Sequence, residues 1–368
     1  MPLGPELRMI DPTTVEFDHQ RYLFFAGNDY HRLGNHPEVL AAFGTVAEAG
    51  GLNASGSRVT TGNHPLHGEL EARAAAFLGT GNCVICSDGF LSNAVALEAT
   101  APDFQRFFVD AQAHASLMAP VDTLPRDRVH VFHHADPGDL EATVAAHLLP
   151  RERPLVLTNG VEPGDGELAP LMGYWNVVRD RGGMLLVDDA HGMGTVGLTG
   201  KGSPEEAGIP PAAFFQTGTF TKAFGAFGGL LTGPPGLSAK VLERSRTFTG
   251  ATPMPPALAA AALGAIRVLE AHPGIIRGLR ERTHRARARL RTMGLASCAS
   301  PVPILSVTHR DTTKNQRLKA LLLKNGIYPP FISYPGSPPG GHFRFTLSGL
   351  HTEEEVDRLL GTIAQSCD

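Results

Sequence analysis

The sequence predicts an α/β protein: a mostly parallel, seven-stranded sheet with helices on both faces, followed by a small α+β unit at the C-terminal end. Three observations lead there. Short apolar runs recur at 83–86, 106–110, 129–132, 155–159, 184–188, 214–217 and 229–232, too uniformly apolar for strands with one wet face. Helical segments at 92–100, 137–149 and 171–181 lie between them, the alternation of a parallel sheet with crossover helices. After Thr252 the character changes to a long Ala-rich helix at 255–271 and a basic one at 274–293.

Size and composition agree with this class. A chain of 368 residues supports a large core, and 42% hydrophobic residues describe a soluble globular protein. A net charge of −4 gives no footprint for nucleic acid or an acidic membrane surface. No apolar run reaches the ~18 residues of a membrane span, and no secretion signal opens the chain. Four cysteines are too few for a disulfide scaffold, so a reduced, cytoplasmic location is expected. Cys83 and Cys86 form C-x-x-C, but positions three apart in a strand face opposite ways, and no second pair completes a metal site. No metal is expected.

In chain order, residues 1–31 are irregular, with a short strand at 22–25 and a turn at 27–29. Residues 36–49 read as a helix entered through Pro37, and 67–78 as a second with Leu70, Ala74 and Phe77 on one face. The alternating strands and helices follow. The last part carries strands at 303–307 and 342–347 and a helix at 352–367. The expected division is an N-terminal segment 1–35, a large unit 36–254 and a small unit 255–368.

Ligands of such sheets sit at the carboxyl ends of the strands, and candidate residues cluster there. In GTFTKAFGAFGG (218–229), Lys222 stands alone among hydroxyls, glycines and flanking phenylalanines. Desolvation lowers a lysine pKa and frees a nucleophilic amine, while Thr219 and close glycine backbone suit a phosphate. A nucleophilic lysine beside a phosphate cradle is what a pyridoxal phosphate Schiff base requires. In MLLVDDAHGMG (184–194), Asp188 ends a strand 34 positions before Lys222, and Asp189 is expected to point the other way. A carboxylate there can keep a pyridine nitrogen protonated, with His191 as a donor to the ring oxygen. SDGFLSN (87–93) opens a helix after a strand, so Ser87 and the amides of Gly89 and Phe90 form an anion site. His114 follows another strand, where it can stack on a ring. Arg344, in an alternating strand, suits a substrate carboxylate, and Asn28 offers a further donor.

The combined pattern resembles the α-oxoamine synthase family of fold-type I pyridoxal phosphate enzymes. The resemblance runs from NDYHRL (28–33) to GLHTEEEVDRLL (349–360) through GSRVTTGNHPLHGELE (56–71), SDGF (87–90), DAQAHASL (110–117), DGELAPL (165–171), DDAHGMGTVGLTGKG (188–202), the Lys222 stretch and TPMPP (252–256). It implies Lys222 as the Schiff-base lysine, Asp188 as the pyridinium partner, His191 as the phenolate donor and His114 as the stacking histidine. It implies Gly89, Phe90 and Thr219 as phosphate and ring contacts, and Arg344 and Asn28 as substrate-carboxylate contacts. Thr252 resembles a residue that reaches the cofactor of a neighbouring subunit, a place Thr249 can also fill. The family implies a homodimer that condenses an amino acid with an acyl-CoA and releases carbon dioxide.

The chain departs from the family pattern at four places. DDAH replaces DEAH, Pro163 stands where a serine hydroxyl faces the cofactor, NASGSR (53–58) replaces a glycine-rich run, and FISYPGSPPGG (331–341) is rich in proline and glycine. They motivate a second reading, an aminotransferase or a β-hydroxy amino acid aldolase. A third is a cofactor-binding protein without catalysis.

Overall fold

The structure, a computed structural model, describes residues 3–295, 298–333 and 340–367. Residues 334–339, in the Pro/Gly-rich stretch singled out above, lie outside the described residues. The chain opens with β1 (Arg8–Asp11), β2 (Thr14–Phe17) and β3 (Gln20–Leu23), an antiparallel three-stranded sheet. Sequence reading expects one short strand here, because four-residue strands give too brief an alternation to register. α1 (Pro37–Gly50) and α2 (Pro65–Leu78) follow. Each begins at a proline after a histidine cap: His36 accepts the Glu38 amide and His64 the Leu66 amide.

The central sheet comprises β4 (Asn82–Cys86), β5 (Arg106–Asp110), β6 (Val129–Phe132), β7 (Pro154–Asn159), β8 (Met184–Asp188), β9 (Phe214–Thr219) and β10 (Gly229–Gly233), in the order β4-β10-β9-β8-β7-β5-β6. β10 runs antiparallel to both its neighbours, and the other pairings are parallel. Alternate residues feed different cores: Leu155 and Leu157 pack on one face, Val156 on the other. All three are fully buried, as in a sheet covered on both sides. Cys83 and Cys86 likewise enter different cores, as the strand geometry predicts.

α3 (Gly89–Thr100) and α4 (Ala115–Val121) start at the carboxyl edge of the sheet; α5 (Pro137–His147) and α6 (Leu171–Val178) cover the opposite face. α3 begins three residues earlier than its apolar pattern indicates. Asp88 caps it, accepting the Leu91 amide at 2.9 Å. α7 (Ser203–Glu206), α8 (Leu237–Arg244) and α9 (Arg246–Gly250) are short. α10 (Pro256–Ala271) packs along α1 and α2. α11 (Gly274–Thr292) leads to β11 (Ile304–Val307), α12 (Thr312–Lys324), β12 (Phe331–Ile332), β13 (His342–Thr346) and α13 (Glu353–Ala364). β13 sits between β11 and β12, which places Arg344 at the centre of a small antiparallel sheet. No single helix among the described residues is long and apolar enough to cross a membrane.

Candidate active site

The carboxyl ends of β4, β5, β7, β8 and β9 converge on a cavity of about 280 Å³. Lys222, Asp188, His191 and His114 line it, together with Gly89, Phe90 and Thr219. Seven of the residues singled out from sequence thus share one site, though they span more than 130 positions.

Lys222 rides on the connection between β9 and β10. Phe220 and Phe224 anchor that loop in the core, each at most 1% exposed. The Phe220 amide donates to the Gly228 carbonyl at 2.9 Å. Burial lowers the Lys222 pKa to about 8, against an opposing pull from the Asp188 carboxylate; Arg344 pushes the same way as burial. A substantial share of the amine is therefore neutral near pH 7.5.

Asp188 ends β8 and is held from behind. Its Oδ2 accepts Asn93 Nδ2 at 2.7 Å and Ser116 Oγ at 3.2 Å; its Oδ1 accepts the Ala190 amide at 3.2 Å. Asn93 also accepts Thr217 Oγ1 at 2.6 Å, so α3 ties β8 to β9. Sequence reading did not single out Asn93 or Ser116. Each is polar inside an apolar helical stretch, and that was the available signal. Asp189 points away from the cavity, as expected, and is completely buried. Its Oδ2 accepts Gln216 Nε2 at 2.7 Å and the Ser203 amide at 2.9 Å, while Oδ1 has no partner. Burial pushes its pKa up to about 7.

Tyr30 and His191 form a buried pair, oxygen to Nδ1, at 2.6 Å. Burial pushes the Tyr30 pKa up to about 12, with the Arg344 guanidinium beside it opposing. Burial, with the Lys222 and Arg344 charges, drives His191 well below its ordinary value, so the ring is neutral. Arg344 can only donate, so the Tyr30 proton goes to His191 Nδ1. His191 Nε2 then carries the ring proton. Tyr30, which supports the site through His191, escaped sequence reading although it lies two positions after Asn28.

His114 caps α4 and lies 2.7 Å from Ser116 Oγ through Nδ1. The N-terminus of α3 supplies the amides of Gly89 and Phe90, which have no earlier helical turn to bond. A Cβ at Gly89 would come within 2.8 Å of Thr219 Cβ, so only glycine lets this helix end approach β9 so closely. The hydroxyls of Thr219 and Thr221 lie 2.9 Å apart on the same wall. Arg344 donates through Nε to the Pro163 carbonyl at 2.7 Å, and Pro163 lines the cavity. Asn28 keeps its Oδ1 buried and without a partner. Ser87 and Thr252 fall elsewhere: both line a separate small crevice beside Arg58. Ser87 is thus not in this cavity, because α3 begins after it and Asp88 takes the place at the helix mouth.

Covalent capture of an aldehyde cofactor needs an amine that is neutral near pH 7. A phosphorylated pyridine needs an anion cradle at one end and a carboxylate at the other. The cavity meets both needs, with room kept open at Gly89, and this is the arrangement of fold-type I pyridoxal phosphate enzymes. Residues 21–363 match the aminotransferase class I and II family. An 8-amino-7-oxononanoate synthase of Maricaulis maris (strain MCS10) is 35% identical over 97% of this chain and 90% of its own length. Serine palmitoyltransferase of Sphingomonas wittichii superposes with a TM-score of 0.89 at 28% identity, over 98% of this chain and 90% of its own. Another serine palmitoyltransferase, solved with PLP, gives 0.89 at 25% identity over the same shares. The chain belongs to the aminotransferase class I and II family, in its α-oxoamine synthase branch.

Proposed function

We propose that the protein catalyses the decarboxylating condensation of a small α-amino acid with an acyl-CoA thioester, in the manner of an 8-amino-7-oxononanoate synthase. The observation that carries this reading is the buried Lys222 amine, brought to a pKa of about 8, which shares a cavity with Asp188 and with Pro163, whose carbonyl Arg344 bonds. Pyridoxal phosphate, when bound, supplies an electron sink for negative charge at the substrate Cα.

Lys222 Nζ anchors the cofactor. With its amine free, Lys222 would take the substrate Cα proton as general base and later return one. Asp188, fixed by Asn93 and Ser116, keeps the ring nitrogen protonated. His191 would donate from Nε2 to the ring oxygen, and His114 would pack on the ring face. The Gly89 and Phe90 amides and Thr219 hold the phosphate. Arg344, with Asn28, receives the substrate carboxylate, for which a guanidinium is the best-matched partner. We further propose that the chain works as a cytoplasmic homodimer, with Thr252 serving the partner's cofactor: Thr252 lies outside the cavity of its own chain. The large cofactor-binding unit is assigned to residues 36–254, between the N-terminal segment 1–35 and a small unit 255–368.

The test mixes the PLP-loaded protein with single amino acids and an acyl-CoA and follows free thiol. Amino-acid-dependent CoA release that vanishes in Lys222→Ala is expected. Equal release by Lys222→Ala overturns the assignment. A second reading, aminotransfer or aldol cleavage, draws on Pro163, which offers a carbonyl to Arg344 and no hydroxyl to the cofactor. Keto-acid or aldehyde formation without any acyl-CoA is its signature.

A further inference from the structure

A second cavity, of about 550 Å³, lies where the turn after Tyr30 meets the N-terminus of α11 and the Gly349 loop. The proposed reaction gives it no role. His31, Arg32, His36 and Arg282 line it, and among the described residues no aspartate or glutamate does.

Arg32 is only 6% exposed. Its Nη2 donates to the Phe24 and Ala26 carbonyls, both at 3.1 Å, while its Nε is buried without a partner. Its backbone φ of +56° is one that side-chain-bearing residues avoid, so this guanidinium is kept inside at a conformational cost. The nearest acid, Asp29, has both oxygens taken by the Leu33 and Gly34 amides at 3.0 Å. Arg282 repeats the pattern. Its Nη1 donates to the Ser348 and Gly349 carbonyls, and its Nε is buried with no hydrogen bond. Glu353 stands 3.6 Å from that Nε but is engaged by Arg285 at 2.6 Å. His31, 4% exposed, bonds the Gly194 carbonyl through Nε2, so its Nδ1 holds a lone pair that nothing donates to. α11 starts at Gly274 with no side-chain cap and no acid in its first turn.

Two guanidinium groups short of acceptors, Arg32 buried and Arg282 partly exposed, an uncapped helix N-terminus and a lone acceptor nitrogen make a coherent set. The first two call for an anion, and the last calls for one that carries a proton. We propose that this cavity is a binding site for a phosphate group, borne either by a phosphate-bearing cosubstrate or by the free ion. It stands whether or not the condensation reading holds; under that reading, the CoA moiety carries the phosphates.

The experiment is calorimetric titration of the PLP-loaded protein, whose α3 cradle is then filled, with inorganic phosphate and separately with CoA. Two variants report on the cavity. Arg32→Gly suits the φ of that position, and Arg282→Gln removes the second charge. The expected result is one saturable site per chain, weakened at least about ten-fold in each variant, since each loses a charge-assisted contact, with the cofactor's visible absorbance unchanged. Phosphate that competes with CoA identifies the cosubstrate's phosphates as the ligand. Phosphate that binds without competition identifies the free ion. Absence of saturable binding of either ligand, or binding that both variants leave untouched, overturns the proposal.

Discussion

Removing one oxygen atom tests how the site sets the protonation of His191. In Tyr30→Phe the aromatic ring stays in its fully buried place, and only the hydroxyl 2.6 Å from His191 Nδ1 is lost. A buried acceptor left unsatisfied costs about 1–3 kcal/mol. Removing its donor takes away the preference for the proton on Nε2 by a similar amount, and each ~1.4 kcal/mol is a factor of ten in population. The imidazole then divides between its two tautomers, one of which, under the proposed role of His191, presents a lone pair to the ring oxygen instead of a proton. The expected outcome is kcat lower by about ten-fold, a thermal midpoint lower by a few degrees, and a shifted cofactor absorbance maximum. Steady-state assays, scanning calorimetry and a visible spectrum of the PLP-loaded variant read these directly. A variant that melts lower but keeps the wild-type spectrum and kcat refutes the tautomer argument and leaves Tyr30 a packing residue.

Three further outcomes follow from the geometry. The rate at which the cofactor-free protein takes up pyridoxal phosphate should rise through pH 8 and then level off, because Lys222 is neutral above about that value; a rate still climbing ten-fold per unit at pH 10 contradicts a depressed lysine. Asp189, with a folded pKa of about 7 raised above its unfolded value, contributes stability that is full below about pH 4 and is lost as pH rises through about 7. Asp189→Asn should flatten the melting temperature across that window, and an unchanged pH profile counts against a buried acid. In Gly89→Ala the new Cβ meets Thr219, so the affinity for pyridoxal phosphate, measured by titration of the cofactor-free protein, should fall by ten-fold or more; unchanged affinity means the α3 N-terminus does not cradle the phosphate.

The sheet strands were legible because each is an apolar run long enough to stand out, and their carboxyl ends pointed to Lys222, Asp188, His191 and His114. Besides the short opening strands, what escaped was of two kinds. α12 (Thr312–Lys324) and α8 (Leu237–Arg244) present few buried residues, so their stripes are thin against a polar background. Asn93, Ser116 and Tyr30 are supports whose partners lie 95, 72 and 161 positions away, and no local pattern records such a contact. The cavity-lining residues were thus readable one at a time, while the groups that hold them became visible only through the fold.

The antiparallel strand β10 has a mechanical consequence. It returns directly beside β9, with Gly229 opposite Thr219, so the Lys222 loop is a noose drawn shut at its base. Gly225 is pressed against the backbone of Gly34, where an added Cβ would lie 2.1 Å from the Gly34 nitrogen. Such a loop is held both at its base and at Gly225. Movement of the Lys222 amine is thereby directed into rotations about its own four-carbon stem.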